Sequence, residues 1–260
     1  MTRRTMLILC AGAASGQTRQ EKGRKVVDEA LEALGGERYR SMQDRVEAGR
    51  AYSFYRERLS GLSLAKIYTR YLTPTPGMLS VRERQAFGKD EYSAVLFTER
   101  DAWEVTFRGA RPLPDPMRDR YRDSTLRNIL YILHQRLGEP GLIFESKGTE
   151  VLDNQPVEIV DITDSDNRPV TVYFHKSTKV PVRQVFFRRD PLTKDRIEEV
   201  TLFSKYRDVG GGVQWPFNIM RQRNGEKIYE IFSESVTINQ GLTDALFTLP
   251  STTKILKTQN

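Results

Sequence analysis

Ser63-Leu64-Ala65-Lys66 and Ser165-Asp166-Asn167 together reproduce the Ser-x-x-Lys and Ser-Asp-Asn motifs of acyl-transfer enzymes that attack β-lactams. That chemistry needs the serine at the start of a helix, with the lysine one turn later and beside it. Here Ser63 and Lys66 stand in an alternating, strand-like run, and an odd spacing on a strand sends two side chains to opposite faces. Ser165 to Asn167 reads as a turn, and no Lys-Thr-Gly follows it. A serine hydrolase using Ser63 and Lys66 is therefore the remote reading. Asp161, Asp164 and Asp166 could offer carboxylates to calcium, but the loop lacks the glycine and the closing glutamate of an EF-hand, so a polar turn is the simpler reading. His134 and His175 stand far apart without companion cysteines, a poor basis for a metal site. Glu198 and Glu199 are neighbours on a strand and so point apart, unlike the facing carboxylates of a glycosidase. No phosphate loop, Gly-x-Ser-x-Gly or dinucleotide fingerprint occurs. The residues predict a protein that is not an enzyme and uses no cofactor and no metal.

The 260 residues are enough for one large β-rich domain or two smaller ones, and a chain of this length needs no disulfide staples. Its net charge of +7 is spread along the chain, which favours weak attraction to anionic surfaces over a dedicated nucleic-acid groove. The N-terminus has the form of an export signal over residues 1–16: Arg3 and Arg4 precede a short apolar run from Met6 to Ala14, with small residues and cleavage near Gly16. The run is too short to span a bilayer as a helix, so the mature chain is expected to carry no transmembrane segment. Arg3-Arg4 loosely follows a twin-arginine signal, and Leu7-Ile8-Leu9-Cys10 loosely follows a lipobox, with Leu9 where Gly or Ala is usual. Cys10 is the only cysteine. If it leaves with the signal, thiol chemistry leaves with it.

These residues hang on a pattern of strands. Gln20 to Leu34 is amphipathic, with Val26, Val27, Ala30, Leu31 and Leu34 at helical spacing and Gly35-Gly36 as the stop. Strand-like runs follow at 44–57, 62–72, 78–86, 92–98 and 102–108. A helix over 115–137 interrupts them, with Asp115 as N-cap, Pro116 at the first helical position and Gly138 as the stop. Its polar face carries Arg118, Arg120, Arg122 and Arg127. That face reads first as a solvated surface, and second as a basic rim meeting lipid head groups or an acidic partner. Seven more runs occupy 142–151, 156–163, 169–175, 180–188, 196–207, 213–223 and 226–238. Their short connections, including Gly210-Gly211-Gly212 and Asn224-Gly225, permit only antiparallel neighbours. Pro216 belongs near a strand start, at a bulge or on an edge. Several strands are apolar on both faces, so something apolar must cover each face, or one face must line a cavity.

In this order of elements, residues 20–250 resemble the LolA-like superfamily of periplasmic lipoprotein carriers. The local pieces that carry the resemblance are Asp153 to Val157, Val172-Tyr173-Phe174 with Lys179 to Arg183, Tyr206 to Phe217, and Asn239 to Pro250, which looks like the superfamily's closing signature. The chain departs at one place: Thr75 precedes Pro76 where the carrier has an arginine that holds its lid. The resemblance implies an α+β fold, an antiparallel half-barrel of about 11–12 strands wrapped over helices, as a single domain over 17–260. It further implies a non-enzymatic periplasmic carrier that binds the acyl chains of a lipid or lipoprotein and works with donor or acceptor membrane proteins, not with nucleic acid. The alternative is an envelope-stress sensor or regulatory lipid-binding module. The expected walls take one strand face per run: Tyr52, Phe54, Leu64, Tyr68 and Val81, then Trp103 and Val105, then Phe174, Phe186, Trp215, Phe217 and Phe232. Leu130 and Leu133 are expected to join them from the helix.

Overall fold

The computed structural model describes residues 17–75, 78–190 and 192–257. The expected signal with Cys10, and the Pro76-Gly77 site, lie outside the described residues.

Helix α1 (Arg19–Leu34) begins in a capping box: the Thr18 hydroxyl accepts the Glu21 N–H at 3.1 Å, and the Glu21 carboxylate accepts the Thr18 N–H at 2.7 Å. Its apolar stripe, Val26, Val27, Ala30, Leu31 and Leu34, is buried. Each Val or Leu of the stripe contributes about 1.5–3 kcal/mol on full burial. A single turn, α2 (Glu37–Arg40), follows and buries Tyr39.

The strands are β1 (Asp44–Tyr55), β2 (Arg58–Tyr71), β3 (Val81–Phe87), β4 (Ser93–Phe97), β5 (Ala102–Thr106), β6 (Gly109–Pro112), β7 (Ile143–Leu152), β8 (Gln155–Thr163), β9 (Pro169–His175), β10 (Pro181–Arg189), β11 (Arg196–Asp208), β12 (Gln214–Arg223) and β13 (Glu226–Ile238). They form one open antiparallel sheet in the order β6-β5-β4-β3-β2-β1-β13-β12-β11-β10-β9-β8-β7. The two meanders therefore meet where β1 pairs with β13. The thirteen strands among the described residues exceed the expected 11–12. The extra strand, β6, is too short and too proline-bound to show an alternation in sequence. It is held by β5 on one side and by a bridge from Ala110 to Ile255 on the other.

The glycine hairpin forms as its sequence demands. Gly210, Gly211 and Gly212 all have positive φ (127°, 64° and 86°), and the Asp208 carboxylate accepts the N–H groups of Gly210 at 2.7 Å and Gly212 at 3.2 Å. Pro216 sits near the start of β12, where the ladder passes over Lys205, a residue with a φ of 57°.

The helix expected over 115–137 is two pieces, which corrects the reading of one. In α3 (Asp115–Leu126), Pro114 holds the N-cap position and Asp115 is already helical. The chain breaks at Arg127-Asn128, where the Asn128 side chain accepts the Leu130 N–H at 2.9 Å and caps α4 (Ile129–Tyr131). A π-helical turn over Ile132–Arg136 continues from it. The Gln184 side chain accepts the Ile129 N–H at 2.9 Å, so a strand of the sheet supplies the partner that the break would orphan.

Each face of the sheet is covered over part of its extent. Against the inner face pack α1, α4 and the π turn, in a core that includes Leu34, Tyr39, Ile129, Leu133, Phe174 and Trp215. On the outer face, Tyr68, Ala86, Ala94 and Leu96 lie beneath Phe247, Leu242, Leu246 and Leu249 of the C-terminal segment. Buried Asp44 fixes that segment: its carboxylate accepts the N–H groups of Gln240 at 2.6 Å, Gly241 at 2.8 Å and Leu242 at 3.0 Å. The Asn239 to Pro250 stretch that resembles a closing signature is thus a strap across the outer face.

Candidate ligand cavity

A cavity of about 390 Å³ lies between the inner face of the sheet and α3. Its volume is at the lower end of the range for small-molecule sites. Strand alternation decides what reaches it. β2 contributes Ile67 and Thr69, β3 Val81, Glu83 and Gln85, and β10 Gln184, Phe186 and Arg188. The roof comes from Tyr121, Ser124 and Thr125 of α3, with Leu130 and Tyr131 of α4. Tyr121 stacks on Phe97 of β4 with ring centroids 3.6 Å apart, which seats the roof on the sheet.

Strand β12 sets the polarity along the floor. Trp215, Phe217, Ile219, Arg221 and Arg223 share one side of it, so that side turns from apolar to basic in a single strand. At the apolar end, the Arg45 guanidinium lies 3.8 Å over the Trp215 ring, pairs with Glu47 at 3.5 Å and donates to the Thr69 hydroxyl at 2.9 Å. Arg45 Nε and Trp215 Nε1 are buried donors without a protein partner among the described residues, and both residues line the cavity. Burial raises the pKa of Glu83, against the lowering effect of its hydrogen bond from Gln85. At the basic end, Arg188 Nε and Arg223 Nε both donate to one Glu199 oxygen, at 2.9 and 3.2 Å.

A second, larger hollow, about 1360 Å³, opens below α4. Tyr71 and Tyr131 line both spaces and divide them. Both members of the partition are held in place: Tyr71 stacks on His134 at 3.8 Å, and the Tyr131 hydroxyl accepts the Ser80 N–H at 2.9 Å. His134 Nε2 donates to the Met42 carbonyl at 2.8 Å, while Nδ1 accepts from the Gln135 amide at 3.0 Å, a pattern that fits a neutral imidazole. Burial pulls its pKa down to about 4.

Of the residues expected to form walls, Val81, Leu130, Phe186 and Trp215 line the cavity. Leu133, Phe174 and Phe217 are buried in the core behind it. Tyr68 lies between cavity-facing Ile67 and Thr69 and so points outward, where it packs with Trp103 and Val105 under the strap. Phe232 follows cavity-lining Ile231 and meets Tyr52 edge to face at 5.8 Å, also outside. Lys227 sits 4.4 Å over the Phe54 ring, and Leu64 is 46% exposed. Arg120, from the basic helix face read alternatively as a rim for lipid head groups, lines the cavity. The rest of the polar lining has one visible signal in the sequence, the alternate-residue series Trp215-Phe217-Ile219-Arg221-Arg223.

The other candidate chemistries disperse. Ser63 Oγ donates to the Leu64 carbonyl at 2.9 Å and accepts the Gly88 N–H at 3.1 Å. Lys66 instead pairs with Glu91 at 3.5 Å. Asp164 is a turn anchor: it accepts the N–H groups of Asp166 and Arg168, and pairs with buried Arg136 at 2.9 Å and with Arg168 at 2.8 Å. His175 Nδ1 accepts the N–H groups of Ser177 and Thr178. No cluster of three metal-ligating side chains occurs among the described residues. The polar face of α3 is not uniformly solvated either. Arg127 is buried, pairs with Asp123 and lies 5.1 Å over Phe186.

No protein-family model matches the chain, and no curated protein matches it in sequence. Solved structures do. A domain from Vibrio parahaemolyticus described as an outer membrane lipoprotein-sorting protein superposes with a TM-score of 0.59 at 13% identity, over 88% of this chain and 97% of its own. A DUF1329 family protein from Desulfovibrio piger gives a TM-score of 0.60 at 14% identity, over 89% and 98%. A LolA superfamily protein from Nitrosomonas europaea gives 0.52 at 12% identity, over 87% and 97%. The chain therefore carries a LolA-like fold, as the order of its elements predicted. Among the described residues no helix is long and apolar enough to cross a membrane.

Proposed function

We propose that this protein is a periplasmic carrier that holds an acyl chain of a lipid or lipoprotein between the sheet and α3. In this reading residues 1–16 are an export signal, 17–260 are one domain, and the sheet acts as a half-barrel around its helices. The observation that carries it is the cavity of about 390 Å³, whose apolar portion includes Val81, Leu130, Phe186, Trp215, Ile219 and Ile231. Burial of each methylene there supplies about 0.8 kcal/mol, offset in part by ordering the chain. The LolA-like fold supports the assignment by analogy. Ile219 is half-buried and faces the space, so Ile219→Trp fills it without removing a core side chain. Titration with a fluorescent fatty acid is expected to show saturable binding that weakens at least tenfold in Ile219→Trp while the melting temperature holds. Equal binding by the two proteins would place the acyl chain elsewhere.

A further inference from the structure

The basic end of the cavity has more cations than its own carboxylates use. Arg188 and Arg223 share the single Glu199 oxygen through their Nε atoms, which leaves the terminal nitrogens of both guanidiniums for other acceptors. Arg120 of α3 lines the same space from above and makes no ion pair among the described residues. Of the other carboxylates nearby, Asp123 pairs with Arg127, and Asp190 accepts the N–H groups of Leu192 and Thr193 at 2.9 and 3.0 Å. Three guanidiniums thus converge on one glutamate from three elements, α3, β10 and β12. Desolvation, then the charges of Arg223 and Arg188, push the pKa of Arg120 down, against the smaller raising effects of Glu199 and Asp190. A bare acyl chain has no use for such a wall, and a planar guanidinium fork is the geometry that binds phosphate and carboxylate oxygens.

We propose that Arg120, Arg188 and Arg223 form an anion subsite that takes the phosphate head group of an amphiphile whose chain lies along the apolar floor toward Trp215. The subsite rests on the acyl-chain reading above. It narrows the ligand to an anionic phospho-lipid and excludes a neutral one as the preferred cargo. Arg45 Nε and Trp215 Nε1, the two unpartnered buried donors farther along the floor, would serve polar atoms on the same ligand, such as ester oxygens.

The test uses the full chain and three probes below their aggregation limits: palmitoyl lysophosphatidic acid, 1-palmitoylglycerol and inorganic phosphate. Lysophosphatidic acid is expected to bind at least tenfold tighter than the glycerol ester, and added salt is expected to narrow that gap. Arg120→Gln breaks no ion pair, so it keeps the melting temperature. It is expected to cost about tenfold on the phosphate-headed probe and nothing on the glycerol ester. Arg223→Gln should act in the same direction. Equal affinity for the two palmitoyl probes, both lost in Ile219→Trp, would overturn the anion subsite and leave the acyl-chain reading standing. Inorganic phosphate binding as tightly as lysophosphatidic acid, and depending on Arg120, would overturn the head-group assignment and the acyl-chain reading together, leaving a free-phosphate site. A gap between the palmitoyl probes that neither arginine variant alters would overturn the assignment to these residues.

Discussion

Asp44 shows how much one buried side chain can organise. At the first residue of β1, it accepts three consecutive N–H groups and so fastens the outer strap to that strand. Hydrogen bonds to a charged acceptor contribute about 1.5–3 kcal/mol each, and they are not additive. Asp44→Ala is expected to lower stability by about 3 kcal/mol in urea unfolding and to raise amide exchange over 240–247. Protected amides in that variant would mean that Phe247 and its neighbours hold the strap alone. His134 carries a pH dependence. Buried among Tyr39, Tyr71, Arg40 and Arg45, it titrates near 4 in the folded protein against 6.5 in a free chain. Above pH 6.5 it is neutral in both states and costs nothing. As the pH falls from 6.5 to 4, only the unfolded chain takes up the proton, so stability is lost across that window, by about 3 kcal/mol in full. Because Glu83 shifts in the opposite sense, the comparison must be with His134→Gln, which should lack this component. Parallel stability curves for the two proteins between pH 6.5 and 4 would rule it out.

At the scale of elements, local signals predicted most of what formed. The stripe on α1, the glycine hairpin and Asn224-Gly225 are each decided within a few residues, and each is present, Asn224 and Gly225 both with positive φ. Signals that depend on a distant partner were not legible. β6 exists because of β5 and Ile255, and the break after α3 is stabilised by Gln184, 55 residues away from the N–H it accepts. Gly23 is a further case: nothing around it in α1 marks it as special. A Cβ there would meet the Phe144 carbonyl oxygen of β7 at 2.6 Å, so the glycine permits the close approach of helix and strand. Gly138, by contrast, has nothing within 4 Å of its Cβ direction. Gly23→Ala is therefore expected to destabilise by about 1–3 kcal/mol despite the better helix propensity of alanine. Gly138→Ala should be neutral or slightly stabilising, by up to about 1 kcal/mol. Thermal melts of the pair check this directly, and a stabilised Gly23→Ala would show that α1 does not rest on β7 as described.

For the whole molecule, the sequence made the architecture plain and the site much less so. Apolar residues on both faces of the second meander call for two covers; helices cover its inner face, whereas the strap lies over the outer face of β1–β5 instead and leaves Phe187 of β10 42% exposed. What alternation could not reveal was which face looks inward. Tyr68, Trp103 and Val105 have the character of cavity walls but lie under the strap, while Arg188, Arg221 and Arg223 have the character of surface residues but line the space beneath α3. The parity of a strand is local, whereas the side that becomes the interior is settled by packing across the sheet. Native mass spectrometry of the full chain purified from an envelope fraction, before and after organic extraction, reads whether this interior holds a lipid. A discrete adduct of lipid mass, one per chain, lost on extraction and absent from Ile219→Trp, is the predicted result. A bare polypeptide mass before extraction, from a protein that also takes up no added lipid, would contradict it.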